Sequence, residues 1–389
     1  MRLTEEYRQG GWQSTCLSDQ FLDRVRRSYK LSTRVEALAH DSIWLGIGAL
    51  QAPIHAALMA PDNGGLREIF ANPVSSDLYY GVDNLAHTLM VGRDLPELEK
   101  GGAANSRDQL IHLAEAMGLL RWLPPGAEHT LSGCDPSSDI EDVLLKLSER
   151  IGFDIKFPNP FSGELGIRTS RGLASYRAIH ALYQTYRISQ ELNAKTNRSV
   201  LEIGPGMGRT AYYASQAGLR DYTTIDLPLG VAAQACFLSA TLGPDAIWMI
   251  GDNPADADTK IRLLPNTFPL PEKDFGLVLN VDSMTEMDAA SIPVYAGWIA
   301  SHAETFLSIN HEANTSTIAD LGRRFFSSAA TTRAPYWMRI GYVEETFRFA
   351  PYQFAKEFDE LRAVVSKMRA STSWRITAPL RLMRNRLRF

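Results

Sequence analysis

The chain has 389 residues, 45% hydrophobic and 22% charged, with 28 Gly and 20 Pro, which excludes collagen-like, disordered and coiled-coil proteins and predicts two or three globular domains. Three cysteines, Cys16, Cys134 and Cys236, are odd in number and lack zinc-type spacing, so neither a disulfide framework nor a structural zinc site is expected. The net charge of −4 hides an asymmetry: residues 361–389 hold eight Lys/Arg and no acid, leaving 32 basic against 44 acidic residues upstream.

The N-terminal MRLTEEYRQGGWQS has acids and no apolar run behind a basic start, so it does not read as a signal peptide, and a cytoplasmic setting is expected. Residues 1–165 read as a mainly helical domain. Apolar side chains recur at three and four over 17–29, 106–122 and 138–151, and Ser138 with Glu141 fits a capping box. Residues 42–61 run without a formal charge, about the length of a membrane span. Gln51, Pro53, His55 and two glycines favour a buried helix pair broken near Pro53 instead. A long helical pattern over 171–193 leads into the second half.

From Ser199 strand and helix alternate. Strands are expected at 199–203, 222–227, 246–250, 276–281 and 305–309, with helices at 210–217, 230–242 and 293–302. That order predicts an α/β domain over 166–358, a Rossmann-like doubly wound parallel sheet covered on both faces. Residues 342–349 suit an antiparallel edge strand. Residues 359–389 form the basic tail.

The strongest local signal is VLEIGPGMGRT, residues 200–210. A strand runs into Gly204, Pro205, Gly206 and Gly208 before a helix begins, and the glycines let a ligand approach the main chain. A dinucleotide fingerprint would need glycine where Arg209 stands. Glu202 would repel a pyrophosphate but suits a cationic amino group. Asp226 ends the second strand, where an acid accepts from ribose hydroxyls, and Asp252 follows the third, where a carboxylate can accept from an adenine amine. Ribose, adenine and an ammonium together describe S-adenosylmethionine.

Glu202–Gly208 followed by Asp226 resembles the glycine motif and acidic motif of class I S-adenosylmethionine-dependent methyltransferases. With NVDSMTEM at 280–287 and SINHEAN at 308–314, the span from Gly163 to Phe349 resembles the bacterial sugar O-methyltransferase family. The resemblance implies a seven-stranded sheet and methyl transfer to a sugar hydroxyl in O-antigen, capsule or other polysaccharide synthesis. Two alternatives stand beside it, a natural-product O-methyltransferase and an inactive scaffold of this fold. No N/D-P-P-Y-type motif follows strand four, and the body of the chain is acidic, so nucleic acid is not an expected partner.

Asn280, Asp282, Ser283 and Glu286 follow the fourth strand, and Asn310, His311 and Glu312 end the fifth. His311 is the expected general base, with Asp282 or Glu286 orienting it or binding neighbouring hydroxyls. Oxygens of Asp282, Glu286 and Asn310 raise a magnesium site as an alternative, but so few acids make a resident metal not the expectation. Arg168, Arg171, Tyr176 and His180 are candidates for the acceptor cleft.

The tail mixes Trp374, Leu380, Leu387 and Phe389 with arginines, a basic amphipathic composition suited to an anionic membrane face. Its SxSWRxTAPLR segment resembles one found in bacterial glycosyltransferases and polysaccharide-assembly enzymes. Docking to such an enzyme or to the inner face of the membrane is therefore expected. Homo-oligomerisation is left open.

Overall fold

The computed structural model describes residues 17–33, 48–73, 76–81, 95–121, 138–161, 164–314, 316–349 and 367. The amphipathic tail, apart from Lys367, lies outside the described residues, as do Cys16, Cys134 and the first part of the uncharged stretch.

The helical layer comprises α1 (Asp19–Ser32), α2 (Ala52–Met59), α3 (Gly64–Ala71), α4 (Leu95–Ala116) and α5 (Ile140–Ile151). Ser18 starts α1, its hydroxyl accepting from the Phe21 amide. The cap of α5 lies one residue beyond the expected box: Asp139 accepts from the Glu141 amide, while Glu141 turns away to accept from the amide and hydroxyl of Ser170. Gly152 ends α5 at φ 91°, a left-handed cap that glycine adopts at little cost. Within the uncharged stretch, α2 has only eight residues, with Pro53 in its first turn. No helix among the described residues is long and apolar enough to cross a membrane.

A hairpin of β1 (Gly166–Thr169) and β2 (Gly172–Ser175) precedes α6 (Tyr176–Leu192). The helical pattern expected from 171 therefore begins five residues later, where Ser175 accepts from the Ala178 amide and caps it.

The main sheet has eight strands in the order β5-β6-β4-β3-β7-β8-β10-β9. These are β3 (Val200–Ile203), β4 (Tyr222–Asp226), β5 (Ile247–Met249), β6 (Ile261–Pro265), β7 (Leu277–Val281), β8 (Thr305–His311), β9 (Ala330–Pro335) and β10 (Tyr342–Arg348). Strands β3 to β8 pair in parallel, whereas β10 runs antiparallel to both β8 and β9. The expected Rossmann-like, doubly wound α/β architecture is present, with one strand more than the expected seven. The expected third strand is the short outermost β5. The strand beside β4 is β6, whose IRLLP sequence ends in proline and lies outside the expected strands. Nor is β10 the edge, because β9 covers it.

Helices α7 (Arg209–Gln216), α8 (Pro228–Leu242), α9 (Ser291–His302) and α10 (Ile318–Phe325) complete the two covering layers. Alternation along the strands divides the apolar residues between two buried clusters. Val200, Leu277 and Leu307 belong to one, and their neighbours Leu201, Val278 and Phe306 to the other. The first also contains Leu22, Leu110 and Leu144 from the N-terminal helices. Those helices therefore share the core of the sheet on that face. Each fully buried leucine contributes roughly 1.5–3 kcal/mol.

Candidate active site

The carboxyl ends of β3, β4, β6 and β7 open onto one cavity of about 210 Å³. Gly204, Gly206 and Gly208 turn the chain there with φ of 68°, 62° and 92°, all in the left-handed region. A Cβ on Gly204 would collide with the Ser283 side chain, so the approach of this loop to the turn after β7 requires glycine.

Beneath the loop Glu202 is 2% exposed and accepts from the Tyr222 hydroxyl at 2.8 Å. Burial pushes its carboxyl up to about 7. Asp226 ends β4, taking the Leu227 amide at 2.7 Å and Gln234 Nε2 at 3.0 Å, and burial pushes it too up to about 7. Gly230 lies so near that a Cβ there would come within 2.5 Å of the Asp226 carboxyl carbon.

Arg209, where a dinucleotide loop would have glycine, is buried. It pairs with Glu164 and lies over the Phe237 ring at 5.7 Å. Glu164 also accepts from Ser175, so the loop is tied to the start of α6.

Asp252 does not reach this cavity. It follows the outermost strand, and Arg24 of α1 holds both its oxygens, at 3.0 and 2.7 Å. The side chain in the corresponding place beside Asp226 is Asn266, directly after β6. It lines the cavity, and its Oδ1 is buried without a hydrogen-bond partner. The fit to a nucleoside is thus physical: a glycine loop open to the main chain, buried carboxyls for an ammonium and a ribose, and an orphaned acceptor for an amine.

Asp282 takes φ 54° directly after β7, an uncommon backbone state for a non-glycine residue. Tyr342 donates to its Oδ1 at 2.7 Å and Arg339 to its Oδ2 at 2.8 Å. Glu286, in the turn that follows, lines the same cavity. Burial, and then the charge of Asp282, push it up to about 7.

His311 Nε2 is 3.8 Å from both Asp282 and Glu286, but the cavity wall does not include this histidine. Its Nδ1 accepts from the Ala313 amide at 3.2 Å, which leaves the ring proton on Nε2. Asn310 is buried and donates to Asn280 Oδ1 at 2.9 Å and Ser308 Oγ at 2.8 Å, within the sheet.

Asp282, Glu286 and His311 each bring a ligand atom within 4.8 Å of the others. The donor set does not suit a divalent cation. Both Asp282 oxygens are engaged, a guanidinium stands in the first shell, and His311 would offer a proton rather than a lone pair.

Of the four residues expected in an acceptor cleft, His180 alone lines the cavity. Arg171 instead pairs with Asp154 and bonds Ser148 Oγ, fixing the hairpin to α5. Arg168 is exposed on β1, and Tyr176 supports His180 edge-on at 5.6 Å. Burial, with Arg177 and Arg339 nearby, holds His180 down to about 3, so it is neutral. Among the residues not foreseen are Arg177, Asn266, Tyr336, Arg339 and Tyr342, all in the cavity wall.

No family model matches the chain, and no characterised protein matches it by sequence. Among solved structures it is similar to the glycopeptide N-methyltransferase MtfA, at 16% identity over 44% of this chain and 90% of that one, TM-score 0.33. It is also similar to magnesium protoporphyrin IX methyltransferase of Synechocystis PCC 6803 with bound S-adenosylmethionine, at 13% identity over 44% and 80%, TM-score 0.33. A third is the methyltransferase domain of a bacterial Hen1, at 7% identity over 43% and 97%, TM-score 0.31. Likeness at this level bears on neither substrate nor cofactor.

Proposed function

We propose that the protein is an S-adenosylmethionine-dependent O-methyltransferase acting on a sugar hydroxyl of a glycan or its precursor. The observation that carries the reading is one cavity that joins the glycine loop, Glu202 and Asp226 to the carboxyl pair Asp282 and Glu286. In this reading Glu202 faces the ammonium of the cofactor, Asp226 the ribose hydroxyls and Asn266 the adenine amine. The cofactor supplies an electrophilic methyl group, and the chain must align the acceptor oxygen and take its proton.

Glu286 is the better base. It lines the cavity and is poised near neutrality, whereas the only lone pair of His311 is taken by a backbone amide. His311 then serves as a positioning residue, its Nε2 proton directed at the two carboxyls, while Tyr342 and Arg339 fix Asp282. Docking through the basic tail to a membrane or a glycan-assembly enzyme belongs to the same reading. It predicts that removing residues 371–389 releases the protein from membrane fractions.

The test is calorimetry with S-adenosylmethionine and S-adenosylhomocysteine, then incubation of labelled cofactor with nucleotide sugars, oligosaccharides and polysaccharides, with mass and linkage analysis. Saturable heat and a methyl ether on a sugar are the expected results. Absence of cofactor binding overturns the reading, and transfer to nitrogen or to a non-sugar hydroxyl overturns the acceptor.

A further inference from the structure

We infer that His180 holds the methyl acceptor by a second hydroxyl, one that is not methylated, with ring nitrogen Nδ1 accepting the hydroxyl proton. The inference rests on the proposed function only for naming this end of the cavity the acceptor's.

The polarity of the ring is set from outside the cavity. Gln109 of α4 donates from Nε2 to the Met338 carbonyl at 2.9 Å. A carbonyl can only accept, so the amide is fixed with its oxygen toward His180. Nε2 of the histidine lies 2.7 Å from that oxygen and therefore carries the ring proton. Nδ1 is left as a lone pair.

Nδ1 has no hydrogen-bond partner among the described residues, yet it is not sealed in the core. The side chain is 7% exposed, and it lines the cavity. The rings of Tyr176 and Tyr336 stand nearly perpendicular to it, at 5.6 and 5.5 Å, and hold its plane. Burial above all keeps the ring neutral, so it accepts a hydrogen bond but is too weak a base to remove a hydroxyl proton.

Its neighbours place it at the Asp282 side. Tyr336 directly follows β9, and its amide donates to the carbonyl of Tyr342, whose hydroxyl engages Asp282. One turn further along α6, Gln184 accepts from the Thr210 hydroxyl at the start of α7 and lines the same cavity. This face of α6 thus runs from the glycine loop to the acceptor wall.

A hydroxyl has one proton, and in the proposed reaction Glu286 takes that of the reacting oxygen. The hydroxyl on His180 is accordingly a different one. An ether or carbonyl in that place would set lone pair against lone pair and strand a buried acceptor, whereas a polyol satisfies it.

The experiment uses the full chain labelled with 15N-histidine and saturated with S-adenosylhomocysteine. The His180 ring is assigned through His180→Asn and through its contacts with the Tyr176 and Tyr336 rings. Proton–nitrogen NMR is expected to show a single Nε2–H form from about pH 5.5 to 8. Ethylene glycol and its dimethyl ether, the same skeleton with and without donors, are then titrated. The glycol should move the Nδ1 signal saturably and bind roughly twofold to tenfold tighter than the ether, which should leave Nδ1 unmoved. Gln109→Leu should admit the Nδ1–H form and reduce the preference for the glycol, with affinity for S-adenosylhomocysteine reporting the fold. A proton on Nδ1 in the unmutated chain, a ring that becomes charged near neutrality, or an Nδ1 signal that responds alike to both probes overturns the inference. Failure of S-adenosylhomocysteine to bind counts against the proposed function instead, and the same titrations without it still decide His180.

Discussion

The Tyr342 hydroxyl reaches across from the antiparallel strand β10 to the Asp282 carboxylate at the end of the parallel strand β7, 2.7 Å away. It clamps a residue whose backbone is left-handed, at φ 54°. Strain of this kind persists only where the surroundings enforce it. Tyr342→Phe removes one hydrogen bond, about 1 kcal/mol, so the fold should survive. The expected result is a small shift in the denaturation midpoint with a fall in kcat larger than any change in KM. A KM effect alone would place Tyr342 in binding rather than in positioning.

Glycine contacts make a second prediction. Gly204→Ala drives a methyl group into Ser283 and Gly230→Ala drives one into Asp226. Each should weaken S-adenosylmethionine at least about tenfold by calorimetry, a loss of 1.4 kcal/mol or more. Gly297 lies within α9 with nothing inside 4 Å of an added Cβ, so Gly297→Ala should leave binding intact and gain roughly 0.5–1 kcal/mol of stability. Equal behaviour of the three variants would remove the site from this loop.

The pH dependence follows from Glu202 and Asp226, both held up to about 7 by burial. A raised carboxyl binds more protons folded than unfolded. Their contribution to stability is therefore complete below the unfolded values and is lost as pH rises through about 7. An ammonium and ribose hydroxyls favour the ionised forms, so cofactor affinity should rise between about pH 6 and 8, with protons released on binding. Calorimetry in buffers of different ionisation enthalpy measures that release, and Glu202→Gln should reduce it. Proton uptake would contradict the assignment.

Glu286 and His311 separate by pH profile. Once an acceptor turns over, Glu286→Gln should lower kcat by about a hundredfold or more and abolish the acidic limb near pH 7, as loss of a general base does. His311→Gln should shift that limb and cost less. A larger loss for His311 would restore the histidine as base. Chelators should leave turnover unchanged, because Arg339 and Tyr342 already occupy Asp282.

The sequence by itself determined the doubly wound sheet, the glycine loop, Glu202, Asp226 and the pair Asp282 and Glu286. These features are written locally, as apolar strands, glycines at left-handed positions and acids at strand ends. Strand order decided what lay beyond reach of that reading. Because β6 inserts beside β4, Asp252 was carried to the edge and into a pair with Arg24, while Asn266 took the place beside Asp226. Arg177, Arg339 and Tyr342 come from α6, a loop and β10, and no spacing along the chain brings them together. Only the packing of antiparallel β10 against β8, and of the helices onto the shared core, brings them to one cavity wall. The Ala313 amide donates to His311 Nδ1, a contact across the turn after β8 that places the ring proton on Nε2. The cavity wall depends on distances between segments far apart in the chain, a quantity that local pattern does not encode.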